Sequence, residues 1–282
     1  MSAATLTTPP VRTHAITAAR TTTPRVIKSE WIKMRTLRST WLTIGGILFA
    51  LVAFGLISAL TASGQVEVTA GEGGPPAFAG TDPVSTVLAG ANFAVLIVAV
   101  LGAIVGAREY STGMIRTTLA AVPKRLPVLW GKLTTFVSVL APVSLVGVLV
   151  SFFAGMAILD AGGAATVSWS DDGVARAVIG TAVYLVGLGV IGVAVGVMMR
   201  STAGAIGTVI GAVLFVPTLA SALLPDSWDG VLKYLPSNAG QAFTSLNPGD
   251  TLLDPGAGMA VFAGWVVLAI VGAAIALKRR DA

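Results

Sequence analysis

Six long apolar stretches constrain this chain more than any other feature of its sequence. They cover about residues 41–62, 85–106, 129–159, 176–199, 203–224 and 257–277. A helix needs about 20 apolar residues to cross the hydrocarbon core of a membrane, and each stretch is long enough. Of the 282 residues, 55% are hydrophobic and only 11% are charged, which excludes an ordinary soluble domain. The sequence therefore predicts an all-α integral membrane protein with six transmembrane helices.

Charge is distributed unevenly among the segments that join these stretches. If the N-terminus lies in the cytoplasm, the cytoplasmic segments contain 16 of the 18 lysines and arginines. The two exceptions are Arg176 and Lys233, and most of the acidic residues fall in the outer segments. An excess of basic residues on the cytoplasmic side is typical of membrane proteins. We expect a multi-pass protein of the plasma (cytoplasmic) membrane with both termini in the cytoplasm, and no nucleic-acid partner.

The part of the chain before the first apolar stretch falls into two segments. Residues 1–24 are rich in Thr, Ala and Pro without apolar periodicity, which predicts a disordered cytoplasmic leader. Residues 25–40 have the pattern of an amphipathic helix at the membrane interface, where the basic side chains meet anionic lipid. Its predicted apolar face consists of Ile27, Trp31, Met34 and Leu37. A plain extension of the first span is the alternative. Residues 25–282 then form a single transmembrane domain.

A polar loop, residues 107–127, separates two of the predicted spans and carries four basic side chains. Its middle predicts a short helix, because Ile115, Leu119 and Val122 recur at helical spacing on one face. Gly113 lies near the start of this helix, and Pro123 ends it because proline lacks an amide hydrogen. The pattern suits either a docking helix for a soluble partner or a solvated loop that only reverses the chain.

The outer segment 225–256 mixes large apolar residues with turn residues. We predict short helices that lie on the outer leaflet or dip into it, since irregular backbone at that depth must be covered by protein or line a cavity. A surface loop with hydrophobic anchors is the alternative.

The chain lacks the residues that most enzymes and metal sites require. Its only histidine, His14, lies in the predicted leader, and it has no cysteine. It contains no GxxxxGK[ST] phosphate-binding loop, so it is not by itself a P-loop ATPase. The adjacent pair Asp171 and Asp172 reads as solvated rather than catalytic. We expect no enzymatic activity and no cofactor or metal bound by this chain.

Glycine patterns within the spans indicate helix packing. Gly187, Gly189 and Gly192 spell the dinucleotide fingerprint GxGxxG, but they lie inside the fourth predicted span with no preceding strand. Two GxxxG pairs, Gly192 with Gly196 and Gly207 with Gly211, permit close approach of helices or dimerisation.

Taken together, these segments resemble the membrane-spanning permease of an ATP-binding-cassette exporter of the type-2 superfamily. The similarity extends from the amphipathic helix to the last span, and the first cytoplasmic loop carries it. In that loop an acidic residue, a glycine, a coupling helix and a proline followed by a basic residue match the family's order. The matching residues are Glu109, Gly113, Pro123 and Arg125, followed by Gly131 and Lys132.

The resemblance implies a division of labour between subunits. Two permease chains would pair as a homo- or heterodimer and form the translocation pathway, and two cytoplasmic ATPase subunits would hold ATP and Mg²⁺. The coupling helix would rest in a groove of the ATPase, with Glu109 and Arg116 in polar contacts, Ile115 and Leu119 in apolar contacts, and Pro123 at its end. Residues 225–246 would correspond to the family's outer re-entrant helices.

Two other functions stay open at the level of sequence. The first is a membrane-embedded regulatory or interaction subunit that transports nothing and uses the same basic loop to recruit a protein. The second is an ion-coupled secondary transporter, which the absence of charged residues from the middle of every predicted span disfavours.

Overall fold

The computed structural model describes residues 22–66, 80–249 and 251–279. Residues 1–21 of the predicted leader lie outside the described residues. Thr23 and Pro24, which the sequence analysis assigned to the leader, belong instead to the first helix. The reason is local, since proline in the first turn of a helix needs no hydrogen-bond acceptor and already has a helical φ.

The described chain is built from α-helices and contains no β-strand. The first six helices have the bounds α1 Thr23–Thr36, α2 Arg38–Ala62, α3 Pro83–Val87, α4 Gly90–Ser111, α5 Ile115–Ala121 and α6 Leu126–Ala161. The others are α7 Val174–Met199, α8 Thr202–Ile210, α9 Val216–Leu223, α10 Asp229–Leu232, α11 Pro236–Thr244 and α12 Pro255–Arg279. A π-helical turn, Gly211–Phe215, joins α8 to α9, and a 3-10 turn, Asp226–Trp228, precedes α10.

Six helices within the described residues are long and apolar enough to cross a membrane, which confirms the predicted number. They are α2, α4, α6, α7, the continuous stretch Thr202–Leu223 that contains α8 and α9, and α12. The chain is therefore an all-helical protein whose six apolar helices indicate a multi-pass membrane protein.

The second span differs from its predicted bounds of 85–106. Its first residues belong to the separate helix α3, whose capping box between Asp82 and Ser85 fixes an earlier helix start. At its other end, α4 continues to Ser111 through residues assigned to the polar loop. Hydropathy alone ended the span at the charged residues, but the helix continues because the charge of Glu109 is balanced within the chain, as described below.

Proline has different effects in two of the spans. In α6, Pro142 lies inside one uninterrupted helix of 36 residues, so this proline does not end the element. In the fifth span, the π-helical turn precedes α9, which has Pro217 in its first turn. A proline cannot donate the hydrogen bond of a regular helix, and a wider turn before it accommodates the missing donor. The fifth span thus widens locally before Pro217 and does not end there.

The packing is centred on α4 and α7, which have the largest buried fractions of the six spans, 56% and 67%. Small residues let their backbones approach: a Cβ added to Gly192 would lie 2.5 Å from the carbonyl oxygen of Ala99, and one added to Gly196 would lie 2.5 Å from that of Ala103. The first GxxxG pair therefore packs one helix of this chain against another. Gly207 and Gly211 of the second pair face open space in the chain.

The segment after the fifth span contains the predicted short helices, α10 and α11. The side chain of Phe243 on α11 is fully buried, with its ring edge-to-face with Tyr184 and tilted against Phe262. Arg176 donates from Nη1 to the carbonyl oxygen of Phe243 (3.0 Å) and from Nη2 to that of Leu246 (3.2 Å). These contacts hold α11 against the ends of α7 and α12.

The two GxxxG pairs give a matched test of the packing. We expect Gly192→Leu to destabilise the chain by about 1–3 kcal/mol or more, because the new side chain would collide with the backbone of α4. Gly207→Leu makes the same chemical change in open space and should leave stability nearly unchanged. The melting temperature and the yield of monodisperse protein in detergent measure both effects. Equal loss in the two variants would contradict the assigned packing.

Candidate functional site: a buried ion-pair square beside the α4–α6 connection

Two lysines and two glutamates from three helices meet at one end of the helix bundle. Lys33 Nζ lies 2.6 Å from Glu30 Oε1 and 2.6 Å from Glu109 Oε1. Lys132 Nζ lies 3.3 Å from Glu30 Oε2 and 3.0 Å from Glu109 Oε1. Each lysine thus contacts each glutamate, and we call these four residues the ion-pair square. It joins α1, which carries Glu30 and Lys33, to α4 and α6.

The square is buried, which is unusual for charged residues. Glu30, Glu109 and Lys132 are 5%, 6% and 5% exposed. A buried charge is tolerated only when partners compensate for its lost hydration, and two positive and two negative groups make this set neutral. Gly131 lets α1 come close enough, because a Cβ at this position would lie 3.1 Å from Val26 Cγ1 and 3.4 Å from Glu30 Cγ.

Lys33 is the most accessible member of the square, with a side chain 36% exposed. Partial burial of its ammonium group lowers the pKa of Lys33, but the hydrogen bonds and charges of Glu109 and Glu30 together outweigh this effect. The pKa of Lys33 therefore lies above its ordinary value of 10.5. Its positive charge is retained throughout the physiological range.

The connection between α4 and α6, residues 112–125, contains the predicted short helix as α5. Gly113 has a φ of +73°, a left-handed conformation in which glycine is unstrained, and it separates the end of α4 from α5. Ile115 and Leu119 are buried and belong to the hydrophobic core of this chain. Arg116 and Pro123 are exposed. Of the residues predicted to contact an ATPase, the two apolar ones are thus covered by the chain itself.

Arg125 fixes the end of the connection to the last span. Its Nη1 donates to the carbonyl oxygen of Leu277, at 3.2 Å, in the last turn of α12. A cation at a helix C-terminus interacts favourably with the helix dipole and with the carbonyl groups left without helical partners. Arg125 itself has a φ of +54°, a conformation that non-glycine residues seldom adopt. The contact with α12 gives a physical reason for it.

The four residues predicted to form the apolar face of the first helix are not equivalent in the structure. Met34 is buried, Ile27 and Leu37 are half-buried, and Trp31 is 44% exposed. The buried side of α1 consists instead of Val26, Glu30 and Met34. The true contact face is rotated because the ion pairs of Glu30 with Lys132 of α6 and of Lys33 with Glu109 of α4 turn that side inward. Placement of α1 at a membrane interface stays a prediction.

A cavity of about 300 Å³ opens next to the square, between α1, α2 and α4. All four residues of the square line it, together with apolar side chains such as Leu101 and Met114. The cavity therefore places charged groups and an apolar wall side by side at the end of the bundle where α5 lies.

Sequence reasoning found Glu109 but missed its partner Lys33 and the second carboxylate of the square, Glu30, and it gave Lys132 only a place in the family's pattern. A signal was present: Glu30 is the one acidic residue of the basic stretch 25–40, and Glu109 is the one acidic residue of the basic loop 107–127. Two isolated carboxylates in basic segments favour pairing with lysines. Their mutual contact depends on how three helices pack, which the sequence pattern does not specify.

No metal site accompanies this cluster: within the ranges that the structure describes, no three His, Cys, Asp or Glu side chains are grouped to hold a metal ion. No protein-family model matches the sequence, and no curated protein matches it significantly.

The square is testable by a double-mutant cycle. We expect Glu109→Gln and Lys132→Met each to destabilise the chain by about 3–5 kcal/mol, because each leaves an uncompensated buried charge. The double variant should cost clearly less than the sum, since it removes both charges. Unfolding in detergent with increasing denaturant measures all three. Asp172→Asn, at an exposed site, is the control and should change stability by less than about 0.5 kcal/mol. Additive losses would contradict direct pairing.

The raised pKa of Lys33 predicts a loss of stability at alkaline pH. Its ion pairs contribute fully below the ordinary value of 10.5 and are lost as pH rises through the higher pKa of the folded state. Lys33→Arg keeps the positive charge in that range. We expect its melting temperature to fall less than that of the wild type as pH rises above 10.5. Parallel curves for the two proteins would show that Lys33 does not contribute.

Proposed function

We propose that the chain is the permease subunit of an ATP-driven exporter. It forms the translocation pathway as a dimer with a second permease chain, identical or related, and takes energy from separate cytoplasmic ATPase subunits that bind ATP and Mg²⁺. The observation that carries this proposal is the position of α5: a short helix between two spans, with one face buried in the core and the other exposed at the end of the bundle. The basic charge of this end supports a cytoplasmic orientation.

Contacts at both ends of α5 support a role in coupling. On one side the chain enters α4, where Glu109 is paired with Lys33 and Lys132 of two other helices. On the other side Arg125 bonds to the end of α12. A force applied to α5 therefore reaches α1, α4, α6 and α12 through short contacts that are buried or half-buried. Such an attachment suits a helix that transmits the motion of an ATPase to the spans.

The exposed face of α5 suggests which residues meet the ATPase. Arg116 and Ala120 are exposed and stand one helical turn apart, with Thr117 beside them. We propose this face as the contact surface and assign Ile115 and Leu119 the task of anchoring α5 to the chain. Gly113 and Pro123 set the ends of the helix. Glu109 acts in the transmission behind the contact surface.

The test combines recovery of a partner with its activity. The tagged chain, purified from its native membranes in mild detergent, should bring with it a P-loop ATPase in equal amount. We expect Arg116→Glu and Ala120→Trp to lower this recovery, and the associated ATP hydrolysis, by at least about tenfold, because one reverses a charge and the other adds bulk at the contact surface.

The matched control is Lys278→Glu. Lys278 is exposed on α12 at the same end of the bundle, next to Leu277, and the substitution makes the same charge reversal outside α5. It should leave ATPase recovery unchanged. If all three variants recover as much ATPase as the wild type, α5 is not the contact surface. If no ATPase accompanies the wild-type chain, the regulatory or ion-coupled function becomes the better account.

A further inference from the structure

The cavity beside the ion-pair square contains polar groups that the square does not use. Thr40 lines it and is 6% exposed, and the structure gives its hydroxyl no hydrogen-bond partner among the described residues. Arg108 also lines the cavity, and its guanidinium group has no partner within the same part of the chain. The hydroxyl of a buried threonine and an exposed arginine side chain, neither with a partner in the described chain, are groups that a ligand can satisfy.

The first turn of α2 forms part of the same wall. Leu37 precedes this helix and has no side chain that can cap it, and no acidic residue stands in the first turn. The N–H of Thr40 already donates to the carbonyl oxygen of Leu37 (3.1 Å), so the N–H groups of Arg38 and Ser39 are the ones without an acceptor among the described residues, and the dipole of the 25-residue helix makes this end positive. Since Ser39 and Thr40 of this turn line the cavity, its positive end faces the ligand space.

The charges around the cavity do not cancel. Lys33, Lys132 and Arg108 carry three positive charges, and Glu30 and Glu109 carry two negative ones. The square accounts for two charges of each sign, so Arg108 is left in excess. Lys33 also has three N–H donors, of which its two glutamates take two. The excess positive charge and the unused N–H donor favour an anionic ligand group with several acceptor oxygens.

The rest of the wall is apolar. Met34, Leu101, Ile104 and Val105 come from α1 and α4 and continue the cavity along the spans. The volume of about 300 Å³ is at the lower end of the range for small-molecule sites. A ligand that suits both parts has a phosphate at the positive end and a hydrocarbon portion beside α4. The cavity lies at the end of the spans, the level at which lipid headgroups stand if these helices cross the membrane.

We propose that this cavity binds the phosphate headgroup of an anionic phospholipid. The phosphate oxygens accept hydrogen bonds from Arg108, the Thr40 hydroxyl and the first turn of α2, and the acyl chains follow the apolar wall beside α4. The lipid thereby fills the corner between α1 and α2 and holds α1 next to the square. This inference depends on the helices crossing a membrane and does not depend on an ATPase partner.

Native mass spectrometry of the delipidated full chain in detergent tests the site directly. The probes are phosphatidylglycerol, phosphatidylcholine with the same acyl chains, and inorganic phosphate. We expect one phosphatidylglycerol to bind about tenfold more tightly than phosphatidylcholine. Arg108→Gln and Thr40→Val should each weaken this binding by about tenfold, since each removes a donor to a charged group. Thr40→Ser keeps the hydroxyl and should keep the affinity.

The control is Lys28→Gln, which removes an exposed basic side chain of α1 that does not line the cavity. It should change the affinity by less than about twofold, because attraction to exposed charge is weak and screened by salt. An equal loss in Lys28→Gln and Arg108→Gln would show nonspecific attraction to the basic surface and overturn the proposal. Equal affinity for the two lipids would do the same.

Inorganic phosphate separates a lipid site from a site for free phosphate. We expect millimolar phosphate to leave bound phosphatidylglycerol in place, because phosphate lacks the hydrocarbon contacts. Displacement of the lipid by phosphate would assign the cavity to a free anion and overturn the lipid proposal. The melting temperature of each lipid-free variant serves as the folding control. Valine and serine are both close in size to the threonine that they replace, so we expect both variants to keep the fold.

Discussion

Buried charge is the physical constraint that organises the end of this molecule. A lysine or carboxylate removed from water needs compensating charge and hydrogen bonds at short range. Glu109 and Lys132 stand on two spans, and Lys33 and Glu30 come from the helix before the first span. Two of the four ion pairs, Lys33 with Glu109 and Lys132 with Glu30, form only when α1 lies against α4 and α6. The position of α1, the length of α4 and the start of α6 therefore depend on one neutral cluster.

A second constraint acts in the apolar part of the bundle. Lipid is as apolar as a leucine side chain, so two spans associate only where close packing improves on contact with lipid. Small residues provide such packing between α4 and α7, and these two spans form the centre. In the most apolar 18 residues of the stretch Thr202–Leu223 and of α12, only 6% and 17% are buried within the chain. Their large apolar faces are left for lipid or for another protein in the membrane.

The connection between α4 and α6 combines these two constraints. Its apolar residues, Ile115 and Leu119, are buried in the core, while Arg116 faces outward. Glu109 before it and Arg125 after it attach its ends to other helices. A loop that only reverses the chain needs none of these attachments. A helix that receives force from a partner needs all of them, and on this ground we prefer the coupling function to a passive turn.

The sequence by itself determined the six spans, the short helix in the loop 107–127 and the short helices after the fifth span, because hydropathy and periodicity are local properties. It also identified Glu109, Gly113 and Pro123 as unusual residues of that loop. Tertiary structure alone decided that Ile115 and Leu119 are covered, that the buried face of α1 contains Glu30, and that Glu109 pairs with Lys33 and Lys132. Contacts between residues 76 or 102 positions apart depend on helix packing and rotation, which no local pattern encodes.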